Sequence, residues 1–274
     1  EVHDMGLDGS GVLVCFMDGG FRLTHQVFND VDLVDSYDFV GDDSIVYYQD
    51  GDPSNVESHG TSCWSVAAGA FPGTHYGPAF GASYLLARTE DVSGETVVEE
   101  YNWVAGIEWA ESLGAAIVST SLGYDDWYTC SDMNGDSAIT TRAADYAASV
   151  GVLVVNANGN SGSEPCTIAA PADGDSILGI GAVSESNAIA GFSSRGPTFD
   201  GRIKPDLVAL GLSTRCARSY GDMEFGSSSG TSLAAPLISG ISTLLLQVYP
   251  YLTPMEAIAI LKSTAAKRHA PHND

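Results

Sequence analysis

The chain has 274 residues, of which 44% are hydrophobic, and this is enough apolar surface to bury one sizeable core. It carries 35 acidic against 11 basic residues, a formal net charge of −24, which argues against nucleic acid as a partner because phosphate binding needs clustered cations. No run of about 18 apolar residues predicts a membrane span, and no basic and then apolar leader opens the sequence. We therefore expect a processed or trimmed domain that binds neither nucleic acid nor membranes.

Five short apolar segments, each bounded by turn residues, are predicted to be β-strands. Their residues are apolar throughout and do not alternate with polar ones, which is typical of parallel strands covered on both faces of a sheet. In chain order these segments are residues 12–17, 83–87, 116–119, 152–155 and 177–183.

Helical patterns lie between and after these strands. Residues 101–113 carry apolar side chains at helical spacing, and residues 140–150 are rich in alanine. A long apolar segment, residues 232–248, follows a glycine-rich loop, and Thr253 and Pro254 then open a final helix as cap and first-turn residue. Strands that alternate with helices predict an α/β fold with three layers, a mostly parallel central sheet and helices on both of its faces.

The five cysteines are an odd number, so at least one has no partner within the chain. Cys15 lies in an apolar strand and Cys63 in a helix of small residues, and both patterns indicate buried thiols. Cys130 and Cys166 lie in polar segments that resemble loops, and they are the best candidates for a disulfide. A disulfide would imply an oxidising compartment.

Three polar residues stand at the ends of predicted elements. Asp18 closes the first strand before two glycines, His59 begins a helix of small residues, and Ser232 follows a glycine-rich loop at the start of the long apolar helix. Each alone is typical of a structural role, a turn for Asp18 and a helix cap for Ser232. The start of a helix disfavours a cation, so we expect His59 to be held in its neutral form.

Together the three residues indicate nucleophilic catalysis. A serine hydroxyl is a weak nucleophile unless an imidazole takes its proton, and the imidazole needs a carboxylate to fix its tautomer. A parallel sheet would bring the ends of these elements together. Residues 156–162, Asn-Ala-Asn-Gly-Asn-Ser-Gly, follow a strand and could present a side-chain amide to a developing oxyanion.

Four segments carry recognisable motifs: Met-Asp-Gly-Gly at 17–20, His-Gly-Thr at 59–61, Gly-Asn-Ser-Gly at 159–162 and Gly-Thr-Ser-Leu-Ala-Ala-Pro at 230–236. In these motifs the sequence resembles the subtilase family, and the resemblance runs from about residue 11 to residue 264. It implies one subtilisin-like catalytic domain over residues 1–274, and it selects Asn160 among the asparagines of the oxyanion segment.

The resemblance implies a secreted serine endopeptidase that needs no cofactor for catalysis. Ser232 would attack the scissile carbonyl, His59 would accept its proton, and Asp18 would hold the tautomer of His59. Asn160 and the backbone N–H of Ser232 would stabilise the oxyanion. The chain departs from the family pattern at Gly19, Ser62 and Asn158, which bear on its subgroup and pH optimum and leave the triad intact.

The resemblance also assigns substrate contacts. An extended peptide would pair with one wall of the cleft, and the residue before the scissile bond would enter a pocket with no charge at its base, so we expect a preference for large apolar residues there. Glu99 and Glu100 are expected to be solvated, with a minor preference for basic residues further upstream as the alternative. The residues assigned to substrate binding are Ser121, Leu122, Gly123, Tyr101, Ala157, Gly159 and Ala169.

Two further expectations follow. Asp132, Asn134 and Asp136 alternate like the opening of a calcium loop, and subtilases often bind structural calcium, so these residues are a candidate metal site. The partners expected are polypeptide substrates and the protein's own propeptide, with a monomeric chain. Two alternatives stay open: a peptide ligase or esterase that uses the same triad, and a non-catalytic peptide-binding domain. A solvated surface, salt tolerance and bound cations all stay open as reasons for the acidity.

Overall fold

A computed structural model describes residues 2–266, and its centre is a sheet of seven strands. The strands are β1 (Leu13–Asp18), β2 (Asp32–Asp38), β5 (Ser83–Arg88), β6 (Ile117–Thr120), β7 (Leu153–Ala157), β8 (Leu178–Val183) and β9 (Leu207–Leu210). Every neighbouring pair is parallel, in the spatial order β2-β5-β1-β6-β7-β8-β9. Two antiparallel ribbons accompany the sheet, β3 (Ala70–Phe71) with β4 (His75–Tyr76) and β10 (Thr214–Ala217) with β11 (Phe225–Ser228).

Helices cover both faces of the sheet, so the predicted three-layer α/β fold is confirmed. The helices are α1 (Ser58–Ala68), α2 (Val98–Ser112), α3 (Ile139–Ser149), α4 (Thr231–Val248) and α5 (Pro254–Thr264). Helices α1 and α4 pack together and against one face, while α2 and α3 pack together on the other. The predicted cap of α5 is present, because the Thr253 side chain accepts from the backbone N–H of Glu256.

The core is divided by the sheet into two clusters, as the continuous apolar strands predict. In β1, Val14 and Phe16 contribute to the cluster beneath α1 and α4, whereas Cys15 and Met17 contribute to the cluster beneath α2 and α3. Both sides of this strand are buried, so a strand of this kind has no polar face.

The edge strand β2 was not predicted from the sequence. It carries three aspartates, most of its residues are exposed or half-buried, and its pairing with β5 shifts register between Leu33 and Asp35. A strand at the edge of a sheet meets water on one side, and charged residues there discourage pairing with another chain. Its sequence therefore lacks the apolar run by which the central strands were recognised.

Helix α4 has 18 residues and enough apolar character to meet the length and composition expected of a membrane span. However, 67% of it is buried inside the protein, where it packs against β6, β7, β8 and β9 and against α1. This burial identifies α4 as the central helix of the core.

The predicted disulfide between Cys130 and Cys166 is confirmed, with a Cα–Cα distance of 5.8 Å. Cys15 and Cys63 are buried free thiols, as predicted, and Cys216 is a third. The disulfide joins the loop after β6 to the loop after β7.

The topology creates a crevice at the carboxyl edge of the sheet. From β1 the chain adds β2 and β5 on one side, and it then adds β6 to β9 on the other. Loops that leave adjacent strands in opposite directions at such a point leave space between them, and ligands of α/β proteins bind there. The loops after β1, β6 and β7 all open into this region.

Candidate active site

Asp18 and His59 form a direct hydrogen-bonded pair at the carboxyl edge of β1. Asp18 is the last residue of β1 and only 2% exposed, and His59 lies in the first turn of α1. The Nδ1 atom of His59 lies 2.9 Å from each carboxylate oxygen of Asp18. Gly60 permits this approach, because a Cβ atom there would collide with the carbonyl oxygen of Gly20. The arrangement fixes the Nδ1–H tautomer and leaves Nε2 as the acceptor.

The Asp18 carboxylate raises the pKa of His59 well above its usual value, with a smaller contribution from Cys63, while burial opposes both. The sequence analysis expected the helix start to favour the neutral form of His59, which corresponds to a lowered pKa. The pKa is shifted in the opposite direction. A helix terminus acts through partial charges, whereas Asp18 places a full negative charge in contact with the ring.

Cys63 is a contact of His59 that the sequence analysis did not assign to the site. Its Sγ atom lies 3.9 Å from Nδ1 and 3.8 Å from Nε2 of His59, and the residue is 1% exposed. Residues four apart on a helix are neighbours on its surface, so the spacing of His59 and Cys63 within α1 carries this information.

Ser232 is the second residue of α4 and forms a reciprocal pair with Ser121. The Ser232 Oγ atom donates to the carbonyl oxygen of Ser121 at 3.2 Å, and the Ser121 Oγ atom donates to the carbonyl oxygen of Ser232 at 2.9 Å. Pro236 explains the second bond, because it lacks the N–H that would otherwise bond to the Ser232 carbonyl within the helix. The loop after β6 thereby fixes the start of α4.

Asn160 is exposed beside the start of α4, and its side-chain orientation is determined by Thr231. The Oδ1 atom of Asn160 accepts from the backbone N–H of Thr231 at 2.9 Å and from Thr231 Oγ1 at 3.1 Å. Its Nδ2 group therefore faces away from Thr231 as a free donor. In contrast, Asn156 and Asn158 are fully buried and donate to the backbone oxygens of Leu122 and Ser194, respectively.

A pocket of about 140 Å³ adjoins Ser232 and contains six of the seven residues assigned to substrate binding. Tyr101 lies outside its lining, on α2 and 59% exposed, so its contact with a more distant subsite stays a prediction. The lining also includes one carboxylate, Asp125, which the sequence analysis did not assign to the pocket. The lining residues are Ser121, Leu122, Gly123, Asp125, Ala157, Gly159, Asn160, Ser161, Ala169, Thr231 and Ser232.

Comparison with known protein families matches residues 9–274 to the subtilase family of peptidases. The chain belongs to this family. It is 30% identical to the serine protease AprX of Bacillus subtilis over 95% of the chain and 62% of AprX, and 32% identical to subtilisin E of the same organism over 96% of the chain and 63% of subtilisin E. The chain therefore spans less than two thirds of the length of these relatives.

A solved structure supports the same assignment. The crystal structure of a cold-adapted subtilisin-like serine proteinase superposes with a TM-score of 0.76 at 26% identity, covering 97% of this chain and 86% of that one. Subtilases are serine endopeptidases, and the chain order Asp18, His59, Ser232 is the order of their catalytic residues.

The departures of this subtilase from the family pattern have local structural reasons. A Cβ atom at position 19 would lie 2.6 Å from a side-chain carbon of Val92, so the glycine avoids a collision. The hydroxyl of Ser62 is 3.1 Å from the carbonyl oxygens of both Ser58 and Ala217, and it joins α1 to β10. Both contacts lie within the protein and leave the Asp18–His59 pair undisturbed.

Glu99 and Glu100 are buried, so the expectation that they are solvated is wrong. Glu99 accepts from the backbone N–H groups of Asp91 and Thr96. Glu100 accepts from Trp127 Nε1 at 2.7 Å and from the hydroxyl of Tyr128 at 2.9 Å. These carboxylates hold the surrounding loops and are unavailable to an upstream substrate residue.

Glu90 is a buried acid that the sequence analysis missed. Tyr124 donates its hydroxyl to Glu90 Oε1 at 2.6 Å, and burial raises the pKa of Glu90 to about 8. Carboxylate oxygens of Glu90, Glu95 and Glu99 lie within 4.8 Å of one another. The loop after β6, which contributes residues 121–123 and Asp125 to the pocket lining, is therefore hydrogen-bonded through Tyr124 to this group of acids.

The predicted calcium ligands lie close together in the chain, but one oxygen of Asp132 and the amide oxygen of Asn134 already accept hydrogen bonds. Asp132 Oδ2 accepts from both the N–H and the hydroxyl of Thr129, and Asn134 Oδ1 accepts from the N–H groups of Asp136 and Ser137. An amide oxygen has two acceptor positions, so Asn134 has none left for a metal. The arrangement does not fit a calcium ion held by all three residues.

Proposed function

We propose that this chain is a serine endopeptidase that uses Asp18, His59 and Ser232 as its catalytic triad. The observation that carries the proposal is the pair of 2.9 Å contacts between His59 Nδ1 and the buried Asp18 carboxylate. This pair orients His59 as a base at the same edge of the sheet as Ser232 and Asn160, and the combination favours catalysis over a binding-only role.

The reaction begins with a rotation of the Ser232 side chain. Its hydroxyl leaves the carbonyl oxygen of Ser121 and turns to His59 Nε2, which takes the proton as Oγ attacks the scissile carbonyl. Asp18 stabilises the imidazolium that forms. His59 then protonates the leaving amine, and a water molecule, deprotonated by His59, hydrolyses the acyl-enzyme and releases Ser232.

Asn160 supplies one donor of the oxyanion hole and the backbone N–H of Ser232 supplies the other. Thr231 holds the oxygen of the Asn160 amide, so the amide nitrogen is oriented before the substrate arrives. Donors that are fixed in advance do not have to reorganise as charge develops, and this favours the transition state over the ground state.

An extended peptide is proposed to pair with residues 121–123, and the residue before the scissile bond to enter the neighbouring pocket. Leu122, Ala157 and Ala169 give this pocket apolar walls, which support the predicted preference for a large apolar side chain. Tyr101 is proposed to contact a residue further upstream.

We also propose that the protein is secreted, monomeric and produced with a propeptide. The disulfide between Cys130 and Cys166 supports an oxidising compartment, and the family supports the rest. A structural calcium ion at Asp132, Asn134 and Asp136 would require Asn134 to release its two backbone hydrogen bonds. Isothermal titration of chelator-treated protein tests this site, and an absence of heat rules it out.

The test of the function compares wild type with Ser232→Ala on casein and on aromatic-terminated peptide anilides. We expect cleavage by wild type and a loss of several orders of magnitude in the variant. An added amine nucleophile separates a hydrolase, which releases free carboxylates, from a ligase, which releases amides. Equal activity of the two proteins, or none from folded wild type, would overturn the proposal.

A further inference from the structure

Among the described residues that line the proposed substrate pocket, one side chain is charged, that of Asp125. The hydroxyl of Ser161 lies 3.5 Å from its Oδ2 atom. Among the ion pairs of residues 2–266, none includes Asp125, although most of the basic side chains in this range are paired with carboxylates. Asp125 is thus an exposed carboxylate that shares a pocket lining with Ser232 and has no ion-pair partner among residues 2–266.

The neighbours of Asp125 are also acidic. Partial burial and then the charge of Asp126 raise the pKa of Asp125, and partial burial and then the charges of Asp126 and Asp125 raise the pKa of Glu95. Carboxylates that repel one another favour the binding of a cation, because its positive charge lowers the free energy needed to ionise each of them.

The wall that carries Asp125 is held in place from both sides. Tyr124, the residue before Asp125, exchanges backbone hydrogen bonds of 2.9 and 3.1 Å with Ala170. The disulfide fixes the same loop at Cys130, and buried Glu100 holds the aromatic side chain of Trp127. These contacts on both sides of Asp125 fix its position in the pocket lining.

We propose that Asp125 allows this pocket to bind lysine or arginine before the scissile bond, in addition to the large apolar residue proposed above. Long basic side chains have an apolar stem and a charged end, and the pocket offers both complements, apolar walls at Leu122, Ala157 and Ala169 and a carboxylate at Asp125. The inference rests on the proposed peptidase function and deepens it. The apolar stem of the lysine or arginine occupies the space proposed for a large apolar side chain, and its charged end contacts Asp125.

The test uses two peptide anilides that differ only before the scissile bond, one with lysine and one with norleucine, which has the same carbon stem without the ammonium group. The quantity compared is the ratio of their kcat/KM values, measured on enzyme whose active sites are counted with a phosphonate reagent. We expect Asp125→Asn to lower the wild-type ratio of lysine to norleucine by about fivefold, the upper range for an exposed ion pair. Raising the salt from about 0.01 M to about 1 M should lower the wild-type ratio as well.

The control is Asp30→Asn, which removes the same charge at the opposite edge of the sheet. Asp30 is exposed and precedes β2, so it lies at the amino end of the parallel strands. If the effect on the ratio came only from the net charge of −24, both variants would lower the ratio equally, and the proposal for Asp125 would be overturned.

The outcomes separate this inference from the function on which it rests. Cleavage of both peptides with a ratio that Asp125→Asn leaves unchanged overturns the role of Asp125 and leaves the peptidase intact. Failure of folded wild type to cleave either peptide and to react with the phosphonate overturns the peptidase function itself.

Discussion

The disulfide between Cys130 and Cys166 should make a large contribution to stability, and its removal is a quantitative test of the structure. The two cysteines are 36 residues apart, and closing a loop of this length restricts the unfolded chain by about 4 kcal/mol in the chain-entropy treatment. A change of this size lowers the melting temperature of a domain of this class by roughly 10 °C. We therefore expect the double variant Cys130→Ser, Cys166→Ser to unfold at markedly lower temperature and urea concentration.

The measurement is best made in a Ser232→Ala background, where self-digestion cannot distort the unfolding curves. Urea unfolding followed by circular dichroism gives the free energy of unfolding of both proteins. A reductant should destabilise the parent and leave the double variant unchanged, because Cys15, Cys63 and Cys216 are already free thiols. A difference below about 1 kcal/mol between the two proteins would contradict the loop-closure reasoning.

Two further predictions concern catalysis. Asn160→Ala should lower kcat for a peptide anilide by about 10²–10³ with little change in KM, because the amide acts only on the oxyanion; a loss confined to KM would contradict this role. The pKa of His59 is raised by Asp18, and the base must be neutral, so kcat/KM should rise with pH above about 6.5. Asp18→Asn should move this rise to lower pH and reduce the maximal rate by about 10⁴, and an unmoved profile would show that Asp18 does not set the pKa.

The parts that were predictable from the sequence are those in which local residues determine the outcome. The strand β1 is apolar at every position but its last because both of its faces are buried, and its final residue, Asp18, stands out for that reason. The segments around His59 and Ser232 require particular neighbours, such as Gly60 for close approach and Pro236 to free a carbonyl. These requirements leave motifs that can be recognised in a single sequence.

The parts that were missed depend on contacts between distant segments. Glu100 is buried because Trp127 and Tyr128, 27 and 28 residues later, satisfy its carboxylate, and no local pattern indicates this. Asp125 lines the pocket next to Tyr124, which pairs with Ala170, 46 residues later, and no local pattern indicates this pairing. The sequence shows two adjacent aspartates, which are equally typical of a solvated loop.

The most direct test of the catalytic triad is the reaction of the folded protein with a fluorophosphonate, followed by peptide mass spectrometry. The account predicts one phosphonyl group per chain, on Ser232, with a rate that falls by orders of magnitude in His59→Ala and is unchanged in the neighbouring control Ser229→Ala. Labelling of another serine, labelling of His59→Ala at the wild-type rate, or no reaction by the folded wild type would contradict it.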